Sequence, residues 1–540
     1  MKMPKWFVLF LLFVLCLPVV QPQAKAQSQE ISIFLDGKQI HSDVAPYILP
    51  QVNVTMVPLR VISENLGANV LWDGPSQTAT ILKDGTVLAM TVNQKHARVN
   101  DNTLPLDASV ENRRGRTMVP LRFVSEQLGL DVGWDQASRT ITLQTKDAPV
   151  MPQPAPLPVP LPVPQEPSLE QPGISQNMRG VWVSTVYNLD WPSSGSYGNV
   201  ERQKQEYVQL LDELQAMGMN AVFVQVRPAA DALYPSSLVP WSKFLTGTQG
   251  KDPGYDPLAF MIEETHRRGM QFHAWFNPFR ATTDARTDTL AANHVAQQHP
   301  EWIVKSGGKL YINPGIPEAR QHIIATIMEV VNRYEIDGVH LDDYFYPSNG
   351  EFPDDAAYQA YGIASFASKA DWRRYNINQF VQLLDQSIKN VKPQVQFGIS
   401  PFGVWRNIAD DQTGSDTKAG VTAYDNMYAD VRTWIRHGWI DYVTPQIYWS
   451  LSFAPARYDK LVTWWSNEVR GTDVALYIGH APYKLGTAEA GWQNALEIIN
   501  QLHYNTQHPE VKGSIFFSAK DLRKNPLGLI QELQNYYYSR

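Results

Sequence analysis

Strand-like apolar runs alternate with amphipathic helical segments from residue 180 to residue 538, and this alternation restricts the fold more than any other feature of the chain. Strands that alternate with helices favour parallel pairing, because each helix returns the chain over the sheet. Eight such strands and eight helices predict an α/β fold, a (β/α)8 barrel. A doubly wound open sheet is the competing architecture, but no glycine-rich phosphate loop follows the first strand.

Eight strands and eight helices are predicted in this segment. The strands are expected at 180–185, 221–227, 271–277, 338–342, 397–402, 442–449, 475–480 and 514–518. The helices are expected at 203–217, 257–268, 318–334, 372–390, 428–437, 454–468, 492–503 and 527–538.

The amino terminus is typical of a signal peptide at residues 1–26. Lys2 and Lys5 precede an apolar run that is short for a membrane span, and Ala24-Lys-Ala26 supplies a small-x-small cleavage pattern. We therefore expect a secreted protein that is free of the membrane after cleavage. Cys16 is the single cysteine and leaves with this segment, so the mature chain has no disulfide and no thiol nucleophile.

The net charge of the chain argues against some classes of binding partner. The formal net charge of −7 becomes −10 once three lysines leave with the signal peptide. A mildly acidic exported protein is a poor candidate for binding nucleic acid or anionic lipid. We expect a monomer.

Residues 27–147 contain an internal duplication. Thr55-Met-Val-Pro-Leu-Arg60 returns as Thr117-Met-Val-Pro-Leu-Arg122, and Trp72-Asp returns as Trp134-Asp at the same offset of 62 residues. Each repeat predicts short strands and one helix that begins after Pro58 or Pro120 and ends at Gly67 or Gly129. The motifs resemble the copper amine oxidase N-terminal-like stalk domain, and neither repeat carries a histidine cluster for copper. The repeated positions favour a structural role, with wall attachment or spacing as the alternative.

A proline-rich linker separates the small α+β repeat domain from the barrel. Ten prolines lie within residues 148–173, a composition that predicts an extended polyproline II spacer. The predicted boundaries are therefore 27–147, 148–173 and 174–540.

Candidate site residues lie at the carboxyl ends of the barrel strands, where such folds carry their active sites. Val339 and Leu341 suit the helix-facing side, so alternation directs His340, Asp342 and Tyr344 into the lumen. The same parity selects further inward side chains, namely Gln225, Arg227, His273, Trp275, Asn277, Thr444, Gln446 and Tyr448.

Several of these residues have alternative explanations. Asp343 on its own is typical of a helix cap, whereas Asp342 beside His340 indicates function. His273 and His340 could join the aspartates in a metal site, but barrel metalloenzymes begin with paired histidines on strand one, and that pair is missing here. We therefore expect no metal and no cofactor. Trp275, Trp405 and Trp449 could stack on sugar rings or fill the core.

A family resemblance rests on motifs in order along the chain. The strings include Gln225-Val-Arg-Pro, Trp275-Phe-Asn-Pro-Phe-Arg280, Asp337-Gly-Val-His-Leu-Asp-Asp-Tyr344, Ser400-Pro-Phe-Gly-Val-Trp-Arg406 and Pro445-Gln-Ile-Tyr-Trp449. They resemble the family 10-like glycosyl hydrolases from about residue 176 to the carboxyl terminus. The resemblance implies an exported or envelope-associated enzyme that hydrolyses glycan strands, peptidoglycan above all. It also implies that Trp405 and Arg406 contact the substrate.

The fourth strand also partly resembles the chitinase-type (family 18) pattern. Asp337 and Asp342 match its first and third acids, but Tyr344 stands where its catalytic glutamate would be, and Asp343 is the nearest replacement. Tyr448 is similar to the tyrosine that steadies the reacting acetamido group in that family.

The mechanism keeps two alternatives open. Glycoside hydrolysis needs a proton donor and a second group that stabilises the oxocarbenium-like centre. That second group is either Asp416, in the loop after strand five, or the 2-acetamido group of the substrate, held by Asp342 and Tyr448. The expected function is hydrolysis of N-acetylated cell-wall glycan. A non-catalytic wall-binding protein and a hydrolase of another polysaccharide, such as an α-glucan, are the alternatives.

Overall fold

The chain forms two compact units that divide between Leu157 and Pro158. A computed structural model describes residues 31–145, with gaps at 36–37, 41–43, 50–51, 53, 66–67, 74–75, 84–85, 101, 114–115 and 136–138, and residues 177–538 except 349 and 364. The predicted signal peptide and proline-rich linker lie outside the described residues. Within the described part of the chain, no helix combines the length and the apolar character that a membrane crossing requires.

The second unit is a closed barrel of eight parallel strands, which confirms the predicted (β/α)8 fold. Strands one to eight, in chain order, are Met178–Val183, Ala221–Arg227, Gln271–Phe276, Gly338–Leu341, Gln396–Ile399, Tyr442–Val443, Ala475–His480 and Val511–Phe516. The helices that follow them in turn are Val200–Ala216, Pro257–Arg267, Pro317–Arg333, Lys369–Val391, Val431–His437, Tyr458–Val469, Leu496–Asn505 and Leu529–Tyr538.

Shorter helices and one β-ribbon lie in the connections between these elements. The additional helices are Lys243–Thr246, Val295–Gln298, Asp355–Tyr361, Ala423–Asn426 and Ala519–Arg523, and a two-stranded antiparallel ribbon joins Ile303–Ser306 to Lys309–Ile312.

Strand two shows why the barrel strands read as continuous apolar runs. Every residue from Ala221 to Arg227 is buried, because helices cover one face and the lumen encloses the other. Val222, Val224 and Val226 pack under the helices, whereas Phe223 belongs to the separate cluster that fills the lumen.

Aromatic side chains close the lower part of the lumen. Phe223 stacks on His273 with ring centroids 4.4 Å apart, and the Tyr442 ring packs edge-on against both of them. Gly338 faces the same layer, and a Cβ there would overlap the His273 ring. Because side chains fill the lower lumen, a substrate can reach polar side chains only at the rim, at the carboxyl ends of the strands.

Strand six is much shorter than predicted. The regular ladder covers Tyr442–Val443, and beyond it Gln446 makes single bridges to Phe402 and Gly479. Pro445 has no N–H to donate to a ladder, so the strand pairing ends before it. The chain therefore crosses the rim in an irregular path.

The first unit contains the duplication. Its strands are Ser32–Leu35, Lys38–Ile40, Tyr47–Leu49, Val54–Pro58, Asn69–Asp73, Thr78–Lys83, Thr86–Thr91, His96–Val99, Asn102–Pro105, Glu111–Arg113, Arg116–Pro120, Leu130–Asp135 and Thr140–Thr145, and its helices are Leu59–Asn65 and Leu121–Gln127. They form two four-stranded sheets and one five-stranded sheet. A helix follows Pro58 and Pro120, and Gly129 has a φ of 75°, the left-handed conformation that ends a helix. Gly67 lies outside the described residues.

Candidate active site

Two adjacent carboxyl groups lie at the end of strand four. Asp342 and Asp343 are 5% and 4% exposed, so both are almost removed from water. They interact with residues from either side of strand four. Asp342 contacts Asn277, which follows strand three, and Asp343 interacts with Gln446, beyond strand six. The pair therefore presents two differently supported carboxyl groups to the same rim.

A chain of hydrogen bonds orients Asp342. The backbone N–H groups of Thr185 and Val186 donate to Gln225 Oε1 at 3.0 and 2.9 Å. Because a backbone N–H can only donate, the Gln225 amide nitrogen must point the other way, toward Asn277 Oδ1. The Asn277 nitrogen then donates to Asp342 Oδ2. These bonds make Oδ2 an acceptor and leave Asp342 Oδ1 as a buried oxygen without a hydrogen-bond partner.

The pKa of Asp342 is raised to about 6, chiefly because burial disfavours the charged form. The Arg280 guanidinium, the Tyr344 backbone N–H and the Asn277 amide oppose this shift by stabilising the anion. The Tyr344 N–H and Trp275 Nε1 lie near the carboxyl group but outside hydrogen-bonding geometry. Of the pair, Asp342 is the carboxyl that the surrounding donors favour as an anion.

The pKa of Asp343 is raised further, to about 7, by burial and then by the neighbouring charge of Asp342. Gln446 lowers it only in part, and this side chain also donates to the Ser400 carbonyl oxygen at 2.9 Å. Like charges this close cannot both ionise readily, so the pair holds one proton near neutrality. Asp343 is the better proton donor.

Two tyrosines border the pair. Tyr448 is partly buried, and burial followed by the charges of Tyr483, Asp343 and other neighbours raises the pKa of its hydroxyl, which therefore stays a neutral donor. Tyr344 is 42% exposed beside the carboxyl groups, with the Arg280 guanidinium 5.5 Å from its ring centroid. An exposed aromatic face at the rim is a surface on which a sugar ring can stack.

The two histidines predicted to bind substrate form the floor of the site instead. His340 and His273 each place Nδ1 3.1 Å from the Tyr442 hydroxyl, and both are fully buried. His340 Nε2 also lies 3.1 Å from Trp182 Nε1 and 3.0 Å from Ser400 Oγ. Burial lowers the pKa of both imidazoles, so both are neutral. The two histidines therefore pack beneath the rim and hold its side chains in place.

Arg227 departs from the predicted parity. The register between strands two and three shifts after Gln225, so that Arg227 pairs with Phe276, a residue of the helix-facing cluster. Its guanidinium donates to the backbone carbonyls of Asn277 and Pro278 at 2.8 and 3.0 Å. The expectation that Arg227 faces the lumen is corrected by this bulge, since one extra residue reverses the side to which a strand residue points.

The three candidate tryptophans have different surroundings. Trp275 is 6% exposed and belongs to the lumen cluster, with its side chain near the Asp342 carboxyl group. Trp449 is partly buried and packs edge-on against Phe402 at 5.6 Å. Trp405 is 4% exposed, because it stacks on Trp464 and under the Arg432 guanidinium. Trp405 therefore packs between loop and helix and has little surface left for a sugar.

Arg406 and Asp416 both form ion pairs, and neither pairs with Asp342 or Asp343. Arg406 bonds to Asp425 at 2.9 Å and to Asp411 at 3.3 Å. The Asp416 side chain is 72% exposed and pairs with Lys460, which lowers the pKa of its carboxyl group. The structure thus does not bring Asp416 to Asp342 and Asp343.

We expect Asp416→Asn to change kcat by less than about threefold, because an exposed ion pair contributes little to the structure around it. Steady-state rates on the best glycan measure this effect, and Lys460→Gln is the matched control for loss of the same pair. A drop comparable to that of a catalytic aspartate would restore Asp416 as the second carboxylate.

Sequence reasoning missed three residues of the site. Arg280 is the cation nearest the carboxyl pair, and the motif that contains it was visible after strand three. Tyr442 shares the parity of Thr444, Gln446 and Tyr448, which could have placed it in the lumen. Ser400 bonds to His340 from the end of strand five. Within residues 31–145 and 177–538, as far as they are described, no cluster of three histidine, cysteine or acidic side chains could hold a metal ion.

A buried, proton-sharing carboxyl pair at the rim of a (β/α)8 barrel can supply the proton donor and the stabilising anion that hydrolysis of a glycosidic bond requires. The family model described as Glycosyl hydrolase-like 10 matches residues 177–496, and the chain belongs to this family. The protein is a glycoside hydrolase. A second model, described as Copper amine oxidase N-terminal domain, matches residues 34–143. Both resemblances predicted from the motifs are confirmed.

Two relatives identified by sequence agree with this assignment. The chain is 56% identical to glycosyl hydrolase YngK of Bacillus subtilis (strain 168) over 371 residues, which cover 68% of this chain and 72% of YngK. It is 45% identical to glycosyl hydrolase DigH of Escherichia coli (strain K12) over 373 residues, which cover 65% and 84% of the two chains. Among solved structures, the PgaB (BpsB) glycoside hydrolase domain from Bordetella bronchiseptica matches with a TM-score of 0.44 and 14% identity, over 66% of this chain and 98% of that domain.

Proposed function

We propose that this glycoside hydrolase is exported and cleaves N-acetylated glycan strands of the bacterial cell wall, with the substrate's own acetamido group as nucleophile. The observation that carries the proposal is Asp342 Oδ1, a buried acceptor without a partner. A buried polar atom of this kind is costly unless a ligand satisfies it. An acetamido N–H is a suitable donor, and its carbonyl oxygen can accept the Tyr448 hydroxyl.

The reaction then uses the two carboxyl groups differently. The acetamido oxygen forms a bond to the anomeric carbon, while the bond to the leaving oxygen breaks and its electron pair takes the proton of Asp343. Asp342 holds the acetamido N–H and stabilises the positive charge that develops on the cyclic intermediate. Asp343, now an anion, takes a proton from the attacking water, which reopens the ring and completes a retaining hydrolysis.

Asp416 is not needed in this scheme. Its carboxyl group is exposed and paired with Lys460, whereas Asp342 and Asp343 are buried at the rim. Substrate-assisted hydrolysis dispenses with a separate carboxylate nucleophile, which favours this alternative over a two-carboxylate mechanism. Export is supported by the charged, apolar and small-residue order of the first 26 residues.

The test compares one glycan in two chemical states. Purified glycan strands free of stem peptides are chemically de-N-acetylated, and half of that sample is re-acetylated as the matched control. We expect re-acetylated strands to be cut at the original rate and de-N-acetylated strands at least about 100-fold more slowly, since the nucleophile itself is missing. Mass spectrometry of the products measures both rates.

Xylan, cellulose and starch serve as the comparison substrates that could contradict the proposal. Release from any of them at a rate equal to that from acetylated strands would refute the substrate assignment, and release from starch would favour the α-glucan alternative. Binding without release from every glycan would favour the non-catalytic alternative.

A further inference from the structure

The first unit contains two cavities in equivalent places of its two repeats. One, of about 550 Å³, is lined by Thr55, Pro120, Arg122, Trp134 and Arg139 among others. The other, of about 290 Å³, is lined in the same way by Thr117, Pro58, Arg60, Trp72 and Gln77. Nine of the ten residues that line the smaller cavity correspond to lining residues of the larger one at the 62-residue offset. The duplication has therefore produced a pair of cavities.

Strand pairing explains why each cavity uses both repeats. The equivalent strands Val54–Pro58 and Arg116–Pro120 pair antiparallel, with Val57 opposite Val119 at the centre. An antiparallel pair of equivalent strands relates the two repeats by an approximate twofold axis. Thr55 of the first repeat thus lines the second repeat's cavity, and Thr117 lines the first repeat's cavity. Two complete sites result.

The lining combines aromatic surface with positive charge. Trp134 is 40% exposed and Trp72 is partly buried, so both indoles present surface to their cavities. Each indole shares its cavity with two arginines, Arg122 and Arg139 in the larger one and Arg60 and Arg116 in the smaller one. Asp107 is the acidic residue in the larger cavity's lining. Positive charge is concentrated here in a chain whose net charge is negative.

We propose that each of the two cavities binds one acidic sugar unit of a wall polymer. The C–H face of the sugar ring stacks on the indole, and the acidic group, a carboxylate or a phosphate, bonds to the arginines. Two equivalent sites on one unit bind a repeating polymer with much higher avidity than one site would, because the second contact is intramolecular. This proposal does not depend on the mechanism of the barrel.

The experiment measures retention of the full-length mature protein on purified cell walls, on ice and for short times. Trp72→Ala and Trp134→Ala are each expected to weaken binding by about tenfold, and the double variant by about 100-fold or more, since stacking and avidity are both lost. Hydrolysis of a short soluble glycan should stay unchanged in every variant, which shows that the barrel unit is intact, and the arginine variants control for the folding of the first unit.

Arginine variants are the control for the case in which the tryptophan substitutions unfold the first unit. Arg60→Gln with Arg122→Gln should also weaken binding, while Arg98→Gln, an exposed arginine on strand His96–Val99, should not. Walls stripped of phosphate polymers with hydrofluoric acid, and walls whose carboxylates are blocked as amides, identify the acidic group by the treatment that abolishes retention. Wild-type retention of the double tryptophan variant, or retention that survives both treatments together, would overturn the proposal.

Discussion

Asp342→Asn is expected to lower kcat on acetylated glycan by about 10²–10⁴ while the barrel stays folded, because the carboxylate that holds the acetamido group is lost. The asparagine would keep the shape of the side chain, and its oxygen would still accept the Asn277 donor. Its amide nitrogen would then replace Asp342 Oδ1 and oppose the substrate's N–H donor. Steady-state kinetics on soluble glycan measures the loss.

Stability and a matched substitution serve as controls for this variant. Asp416→Asn makes the same chemical change on the surface and should retain activity. The raised pKa of Asp342 means that its protonated form favours folding, a contribution present below the ordinary pKa near 4 and lost as pH rises through about 6. Asp342→Asn should therefore melt at a temperature equal to or above the wild-type value at pH 8. A folded Asp342→Asn enzyme with near-normal turnover would remove Asp342 from the mechanism.

The barrel could be predicted from the sequence because its pattern is strongly periodic. Strand two is apolar at five of its seven positions and buried at all of them, and each predicted helix between strands has a counterpart in the structure. Asp342, Gln225 and Asn277 were reached from strand parity alone, since regular strands keep the period of two. Local periodicity was sufficient wherever the ladder is regular.

Prediction failed where the ladder is irregular. A single bulge after Gln225 turned Arg227 toward the helices. No residue type near Gln225 could have predicted this bulge from the sequence. Strand six ended early at Val443, although Pro445 was visible in the sequence and could have indicated the end. Both errors come from extending the period of two beyond the point at which hydrogen bonding maintains it.

Loop residues were harder to assign, because their neighbours are distant in sequence. Trp405 and Arg406 follow strand five, and their positions depend on Trp464 and Asp425, which no local pattern connects to them. Asp416 meets Lys460 in the same way. Such contacts are set by tertiary packing, so residue type alone could not separate a substrate contact from a surface ion pair.

The last prediction separates the roles within the carboxyl pair. Asp343→Asn is expected to lower kcat by about 10²–10³ on natural glycan, because the leaving oxygen loses its proton donor. On an aryl glycoside whose leaving group needs no proton, the first step should be almost unaffected. Asp342→Asn should lose activity on both substrates, since the acetamido group must still be held in position.

The pH profile gives a second and independent readout of Asp343. Burial and the charge of Asp342 raise its pKa to about 7, so the carboxyl group is protonated below that pH and ionised above it. Wild-type activity should therefore fall as pH rises through about 7, and this alkaline limb should vanish in Asp343→Asn on the aryl substrate. Equal losses on both substrates with the alkaline limb retained would make Asp343 a positioning residue, and the proton donor would have to be another group at the rim.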